Sequence, residues 1–228
     1  MLLEISPTLL SSVGLVALYL GLILLIAEAL NRLTDTHGEL TRKIVHIGSG
    51  HVLLFAWWLE IPAWVGIAAA AIASIIALIS YFLPILPSIN SVGRRSLGTF
   101  FYALSIGILV AIFWPIQHPE YAVIGILVMA WGDGLAALVG QNFGKHPYQI
   151  AGMQKSWEGS LTMTMVSFLV IILILGSVQG FHWQISLIAI AVSLVATALE
   201  SFSKLGIDNL TVPLGSAMLA FLLNQSFI

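Results

Sequence analysis

The sequence predicts an all-α polytopic membrane protein, with about seven or eight transmembrane helices around a polar cavity that faces the cytoplasm. Three observations predict it. The 228 residues are 59% hydrophobic and only 8% charged, and mean hydropathy is +1.04; a soluble domain carries about 25% charged residues. Apolar runs near the roughly 20 residues that a bilayer core requires recur along the chain. All 8 Lys and Arg fall in alternate connections between those runs.

The first run covers residues 9–30, and a polar connection with Arg32, Asp35, His37 and Glu39 follows. Arg42 and Lys43 stand at the head of a shorter run, 44–59, which ends at the turn Glu60-Ile61-Pro62; Pro suits the first turn of a helix. Residues 63–83 form the third run, and 97–114 the fourth after a connection with Pro87, Asn90, Arg94 and Arg95. The fifth run, 121–139, contains Asp133. A glycine-containing polar loop leads to the sixth, 159–175; the seventh is 184–199 and a short eighth is 211–223. There is no internal repeat, so residues 1–228 read as a single domain.

Arg32, Arg42, Lys43, Arg94, Arg95, Lys145, Lys155 and Lys204 occupy one set of connections; the other set carries Glu60 and Glu120. Cytoplasmic loops collect Lys and Arg, so the basic set is expected in the cytoplasm and both termini opposite. The chain lacks the marks of a secretory signal or transit peptide, which favours a plasma or internal membrane of a prokaryote. Net charge is −2 with no basic run, which gives nucleic acid nothing to bind, and with 0 Cys no thiolate metal site or cysteine nucleophile is available.

Asp133, between Gly132 and Gly134, is the most informative residue. An acid in the hydrocarbon region costs roughly 2.5–3.5 kcal/mol on insertion scales, so such acids face polar cavities and carry function. The alternative is a carboxylate that pairs with a cation to hold two helices together. Asp snorkels poorly, and the flanking glycines leave its carboxylate approachable. With oxygen ligands alone, a hard ion such as Mg²⁺ is the natural counter-ion. Gly140, Gly144 and Lys145 fit either a phosphate cradle or a plain helix stop followed by a loop. In Lys155-Ser156-Trp157-Glu158-Gly159-Ser160, Ser156 makes a good N-cap and Trp157 an interfacial anchor. Lys155 and Glu158, three apart, can also set a phosphate-binding cation beside a metal-binding or positioning acid.

Arg42 and His46 share one helical face, whereas Lys43 reads as a topology signal. Arg94 and Arg95 fit the same topological role or a polyphosphate clamp. His51 lies about 140° round the helix from His46 and need not share its site. Glu200, Lys204, Asp208, Asn209 and Pro213 read as a solvated turn with a capping signature, and gain meaning only beside Asp133.

Taken together, Gly132-Asp133-x-x-Ala136-x-x-x-Gly140-x-x-x-Gly144-Lys145 and Lys155-Ser156-Trp157-Glu158-Gly159-Ser160 resemble a superfamily of CTP-using membrane enzymes. It holds the phosphatidate cytidylyltransferases and the CTP-dependent polyprenol kinases. Arg42-Lys43-x-x-His46, Arg94-Arg95-Ser96-x-Gly98-Thr99, and Glu200 with Asp208-Asn209 resemble the phytol/dolichol kinase branch. The similarity runs from about Arg42 to Pro213. The cytidylyltransferase pattern departs at the end: Lys204 is followed by Leu205 instead of Arg, Ile207 precedes Asp208, and Pro213-Leu214-Gly215-Ser216 replaces a glycine-histidine run.

The resemblance implies transfer of the γ-phosphoryl of CTP to a membrane-embedded prenyl alcohol. Asp133 and Asp208 are then expected to hold Mg²⁺, with Glu158 as a third ligand or a group that orients the alcohol. Lys155 and Lys145 would bind phosphates, helped by Arg42, Arg94, Arg95, Gly140, Gly144, Ser156 and Asn209. His46 would hydrogen-bond a phosphate or the alcohol, and apolar helix faces would hold the prenyl chain among membrane lipids. CDP-lipid synthesis is the alternative within the superfamily. An ion-coupled transporter is the alternative of another class; transporters often show inverted repeats with polar residues at the midplane, whereas here the polar residues collect on one side.

Overall fold

The computed structural model describes residues 7–33, 38–83 and 96–227. Arg94 and Arg95 lie outside them. The elements in order are α1 (Pro7–Leu33), α2 (Gly38–Gly50), α3 (Val52–Trp58), α4 (Ala63–Phe82), α5 (Gly98–Phe113), α6 (Pro119–Leu127), a π-helical turn (Val128–Asp133) and α7 (Gly134–Phe143). A hairpin of β1 (Pro147–Ile150) and β2 (Met153–Ser156) follows, then α8 (Trp157–Gln179), α9 (Trp183–Glu200), a 3₁₀ turn (Lys204–Gly206) and α10 (Asp208–Phe227).

Among the described residues, six segments are long and apolar enough to cross a bilayer: Pro7–Leu30, Ala63–Phe82, Pro119–Phe143, Trp157–Gln179, Trp183–Glu200 and Asp208–Phe227. Gly98–Phe113 is a shorter apolar helix. The chain is therefore an all-α polytopic membrane protein. Its outer helices present Leu18, Leu25, Phe82, Leu161 and Leu173 outward, as lipid-facing surfaces must. Trp58, Trp64 and Trp183 stand exposed at helix ends on one side and Trp157 on the other, where the rings suit the two interfaces.

Pro119–Phe143 is the central post. It is 67% buried inside the protein, against 6% for the α1 segment and 17% for α4. α6 packs on α5, α8 and α10; α9 packs on α8 and α10; α4 rests on α5, and α1 on α2. Lipid is as apolar as leucine, so small residues and close backbone approach hold such helices together. Gly125 shows this: a Cβ there would strike the Pro213 carbonyl of α10.

Three features depart from the sequence reading. The run at 44–59 is two helices, because the chain turns at His51. A Cβ at Gly50 would strike Ala130 and one at Gly48 would meet Ile23, so α2 seats tightly on the π turn and on α1. Second, the fifth span is not uniform: the π turn widens it just before Asp133. Third, the polar loop after it is a β-hairpin. Residues Ala151 (φ 49°) and Gly152 (φ 79°) form its two-residue turn, and positive φ at both positions is what a type I′ turn needs.

Candidate active site

Asp133 closes the π turn, a device found at functional sites because it re-aims one side chain without ending the helix. Its Oδ2 lies 2.6 Å from Nζ of Lys43 on α2, with the two side chains 14% and 5% exposed. Lys43 Nζ also reaches the Asp133 carbonyl at 3.4 Å. This corrects the topological reading of Lys43. Neighbours on a helix point about 100° apart, so Arg42 faces outward while Lys43 is buried against the acid. The flanking glycines also have a different job from the one expected. A Cβ at Gly132 would stand 2.6 Å from Met163 Sδ, and one at Gly134 would stand 2.7 Å from Ile47 Cγ1. They let α8 and α2 close on the turn.

A second ion pair joins the hairpin to the end of α9. Lys155, opposite Tyr148 in the hairpin register, donates to a carboxylate oxygen of buried Glu200 and to its carbonyl at 3.3 Å. Asp208 and Asn209 open α10 and are both buried. Asn209 Nδ2 donates to the Gly206 carbonyl at 3.2 Å and faces Asp208 Oδ1 at 3.4 Å. Pro213, inside α10, has no N–H to offer the Asn209 carbonyl. The start of α5 closes this side: Leu97 N–H donates to the Leu205 carbonyl at 3.2 Å, and a Cβ at Gly98 would stand 3.1 Å from Asn209 Nδ2.

These groups form one electrostatic cluster. Asp133 feels the charges of Lys43 and Lys155; Glu200 feels Lys155, Asp133 and Lys43; Asp208 feels Asp133, Lys155 and Glu200. Three acids thus face two lysines, with Lys43, Glu200 and Asp208 buried and Asp133 and Lys155 half-buried. Carboxylate oxygens gathered in this way suit a hard divalent cation. Among the described residues, no three His, Asp or Glu side chains converge tightly enough to hold a metal alone. Mg²⁺ does not need such a cage, since it binds through one or two carboxylates together with substrate phosphates. Asp133 and Asp208 fit that mode.

His46 sits beside the first pair, its ring 4.4 Å from that of Tyr102. Its Nε2 is buried without a hydrogen-bond partner. Such an atom costs about 1–3 kcal/mol, which points to a partner that arrives with a ligand. His51 is used elsewhere: Trp131 Nε1 donates to its Nε2 at 3.2 Å, and its Nδ1 lies 3.2 Å from the Gly48 carbonyl.

Other expected residues are taken up by local structure. Glu158 turns to the hairpin base, where its carboxylate accepts from the His146 N–H at 3.3 Å and pairs with His146 Nδ1 at 2.7 Å. It does not form a three-acid set with Asp133 and Asp208. Ser156 caps α8 by accepting from the Gly159 N–H at 3.1 Å. The Gly144 N–H donates to the Gly140 carbonyl at 3.1 Å. A Cβ at Gly140 would stand 3.0 Å from Ser156 Oγ, and one at Gly159 would stand 3.0 Å from the Ala136 carbonyl. These glycines therefore serve the close crossing of α7 on α8. Lys145 is exposed at the same end. Sequence reasoning missed Lys43 and undervalued Glu200. The available signal for Lys43 was His46 at i+3, one turn further into the same helix.

Fold and site together define a polytopic membrane protein with a buried lysine–carboxylate cluster beneath a short hairpin. Its relatives narrow the class. The chain is 59% identical over 210 residues to the phytol kinase of Synechocystis sp., covering 92% of this chain and 90% of the relative. It is 32% identical over 247 residues to phytol kinase 1, chloroplastic, of Arabidopsis thaliana, covering 95% and 78%. A probable phytol kinase 2, chloroplastic, of Oryza sativa is 32% identical over 205 residues. The chain belongs to the phytol kinase family. No protein-family profile matches it, and no solved structure does.

Proposed function

We propose that this chain is a prenyl alcohol kinase that uses CTP and Mg²⁺, with its site facing the cytoplasm. Membership of the family supports the kinase reaction and the isoprenoid acceptor. The observation that carries the residue roles is the cluster of the Lys43–Asp133 and Lys155–Glu200 pairs with buried Asp208. Phosphoryl transfer asks a protein for positioning and charge neutralisation and for little covalent work. Mg²⁺ held by Asp133 and Asp208 would offset the charge of the β- and γ-phosphates.

The chain's own groups supply the rest. Lys43 fixes the Asp133 carboxylate and screens it while no nucleotide is bound. Lys155, paired with Glu200, is positioned to share its charge with a phosphate. Lys145 and Arg42 add positive charge toward the nucleotide, and the resemblance gives Arg94 and Arg95 the same role. His46 Nε2 is free to bond the alcohol or a phosphate. The alcohol oxygen attacks the γ-phosphorus, the bond from that phosphorus to the β-phosphate oxygen breaks, the hydroxyl proton is released, and CDP leaves. CTP as donor rests on the resemblance of the Asp133 and Lys155 motifs to CTP-using enzymes. The cytoplasmic orientation rests on the segregation of Lys and Arg.

The test offers purified protein Mg²⁺, phytol and CTP labelled at the α- or the γ-phosphorus. The γ-label is expected in the lipid, with CDP released. The α-label in lipid, with pyrophosphate released, would replace this reading with cytidylyl transfer. Transfer from ATP at equal efficiency would remove CTP from it.

A further inference from the structure

Beside the Lys43–Asp133 pair, one polar atom has no work inside the protein. His46 Nε2 is buried and unpartnered. The neighbours that could serve it are engaged elsewhere. Lys43 Nζ donates to Asp133 Oδ2 at 2.6 Å. Tyr102 Oη and Ser49 Oγ both donate to the His46 carbonyl, at 3.4 and 3.1 Å. The Tyr102 ring packs on the imidazole with centroids 4.4 Å apart, a contact of ring bodies that gives Nε2 no hydrogen bond.

Depth separates the two ligands that this atom could take. The groups suited to a polyphosphate stand at the ends of elements on the basic side: Lys155 in β2, Glu200 at the last residue of α9 and Asp208 at the first of α10. His46 lies farther in. It is three residues, about 4.5 Å, beyond Lys43 on α2. Its ring lies beside the backbone of Met129, which precedes Asp133 by four residues on the central post. The two segments run in opposite directions: Lys43 meets Asp133, and Gly50 meets Ala130 and Ile126. Both displacements therefore point the same way, from the basic connections toward the middle of the molecule. A nucleotide comes from water and leaves its phosphates at the basic end. A lipid alcohol comes from the hydrocarbon side and brings one polar group, its hydroxyl. That hydroxyl matches a ring nitrogen in either state, because it can donate and accept, whereas phosphate oxygens only accept.

We infer that His46 docks the hydroxyl of the lipid alcohol, on the membrane side of the metal–phosphate site, and does not bind phosphate. This rests on the prenyl alcohol kinase reading. Nε2 is covered in the closed site, so a neighbour moves to admit the hydroxyl. Lys43, one turn away, is the side chain that Mg²⁺ at Asp133 would release.

The test uses the full chain in nanodiscs with Mg²⁺ and β,γ-methylene-CTP, which cannot transfer its terminal phosphoryl. Phytol and phytene, the same chain without the hydroxyl, compete against labelled phytol. Wild-type protein is expected to prefer phytol about tenfold, the scale of one buried hydrogen bond. His46→Phe should bring that ratio close to one, with the affinity for phytene and for β,γ-methylene-CTP unchanged. His46→Gln, whose amide can still bond a hydroxyl, should keep part of the preference. A preference that survives His46→Phe overturns the inference, as does a loss of nucleotide affinity with the preference intact, which would assign His46 to a phosphate. Nitrogen NMR of histidine-labelled wild-type protein reads the contact without relying on a variant that folds. Phytol, and not phytene, is expected to shift one ring-nitrogen signal, the one missing from His46→Gln. Equal shifts from both, or none, also overturn it. These readouts are of binding alone, so they can fail while γ-label still enters lipid, and can hold where it does not.

Discussion

Lys43→Met is expected to cripple the protein twice over, in stability and in turnover. The substitution keeps the length of the side chain and removes only the charge. It leaves Asp133 buried with its nearest cation gone; the pair is 2.6 Å apart with side chains 5% and 14% exposed. Removing one partner of such a pair costs about 3–5 kcal/mol, because the other charge remains in a poorly hydrated place. For a chain of this size that corresponds to a fall in the thermal midpoint on the order of 10 °C. Asp133→Asn removes the charge on the other side, so Lys43→Met with Asp133→Asn should recover much of the midpoint. Activity should behave differently. Asp133→Asn and the double variant should each lose about 10³-fold or more in kcat, the scale of losing a group that acts on transition-state charge. Thermal unfolding in detergent with a parallel turnover assay checks this. A Lys43→Met protein of near-wild-type midpoint would mean that the ion pair does not hold the π turn.

Lys155→Met carries the second large effect, and here stability and activity should separate. Lys155 comes from the hairpin, which also docks through Tyr148 on Ser160 and through His146 on Glu158. Loss of the lysine therefore leaves the hairpin attached. It leaves Glu200 and Asp208 with less positive charge beside them, so the KM for CTP should rise and kcat fall, together about 10²–10³-fold in kcat/KM. The KM for the alcohol should move far less. Lys155→Arg keeps the charge in a bulkier head and should recover part of the loss. A uniform loss of alcohol and CTP binding would instead assign Lys155 to holding the fold.

The legible parts of the fold were those that composition and length decide. The long apolar runs at 63–83 and 184–199 are α4 and α9 with only small shifts at their ends. What stayed hidden depends on contacts between distant segments. The break at His51 follows from seating Gly48 and Gly50 against Ile23 and Ala130, and no local pattern announces it. A π turn adds one residue to a helical turn and leaves the apolar pattern of 121–139 intact. The hairpin has strands of four residues and an Ala151-Gly152 turn, without the Asn-Gly or Asp-Gly dipeptide that marks such turns.

The site divides in the same way. Asp133 was legible because an acid in an apolar run is expensive. Lys43 was not, because Arg42 and Lys43 look alike as topology signals and only burial separates them. Lys155 and Glu158 look like partners at i+3, but the strand ends at Ser156 and the helix begins at Trp157. The change of backbone sends Lys155 to Glu200 and Glu158 to His146.

The central claim is that the buried cluster, and not the hairpin base, receives the metal–nucleotide complex. Mn²⁺ in place of Mg²⁺ tests it most directly, by electron paramagnetic resonance of bound Mn²⁺ in the presence of CTP and without alcohol. Wild-type protein and Glu158→Gln are expected to bind the ion equally. Asp133→Asn and Asp208→Asn are each expected to weaken it by about tenfold or more, the typical scale for losing a group that supports a metal site. Binding lost in Glu158→Gln and retained in Asp208→Asn would contradict the account and move the metal to the hairpin base.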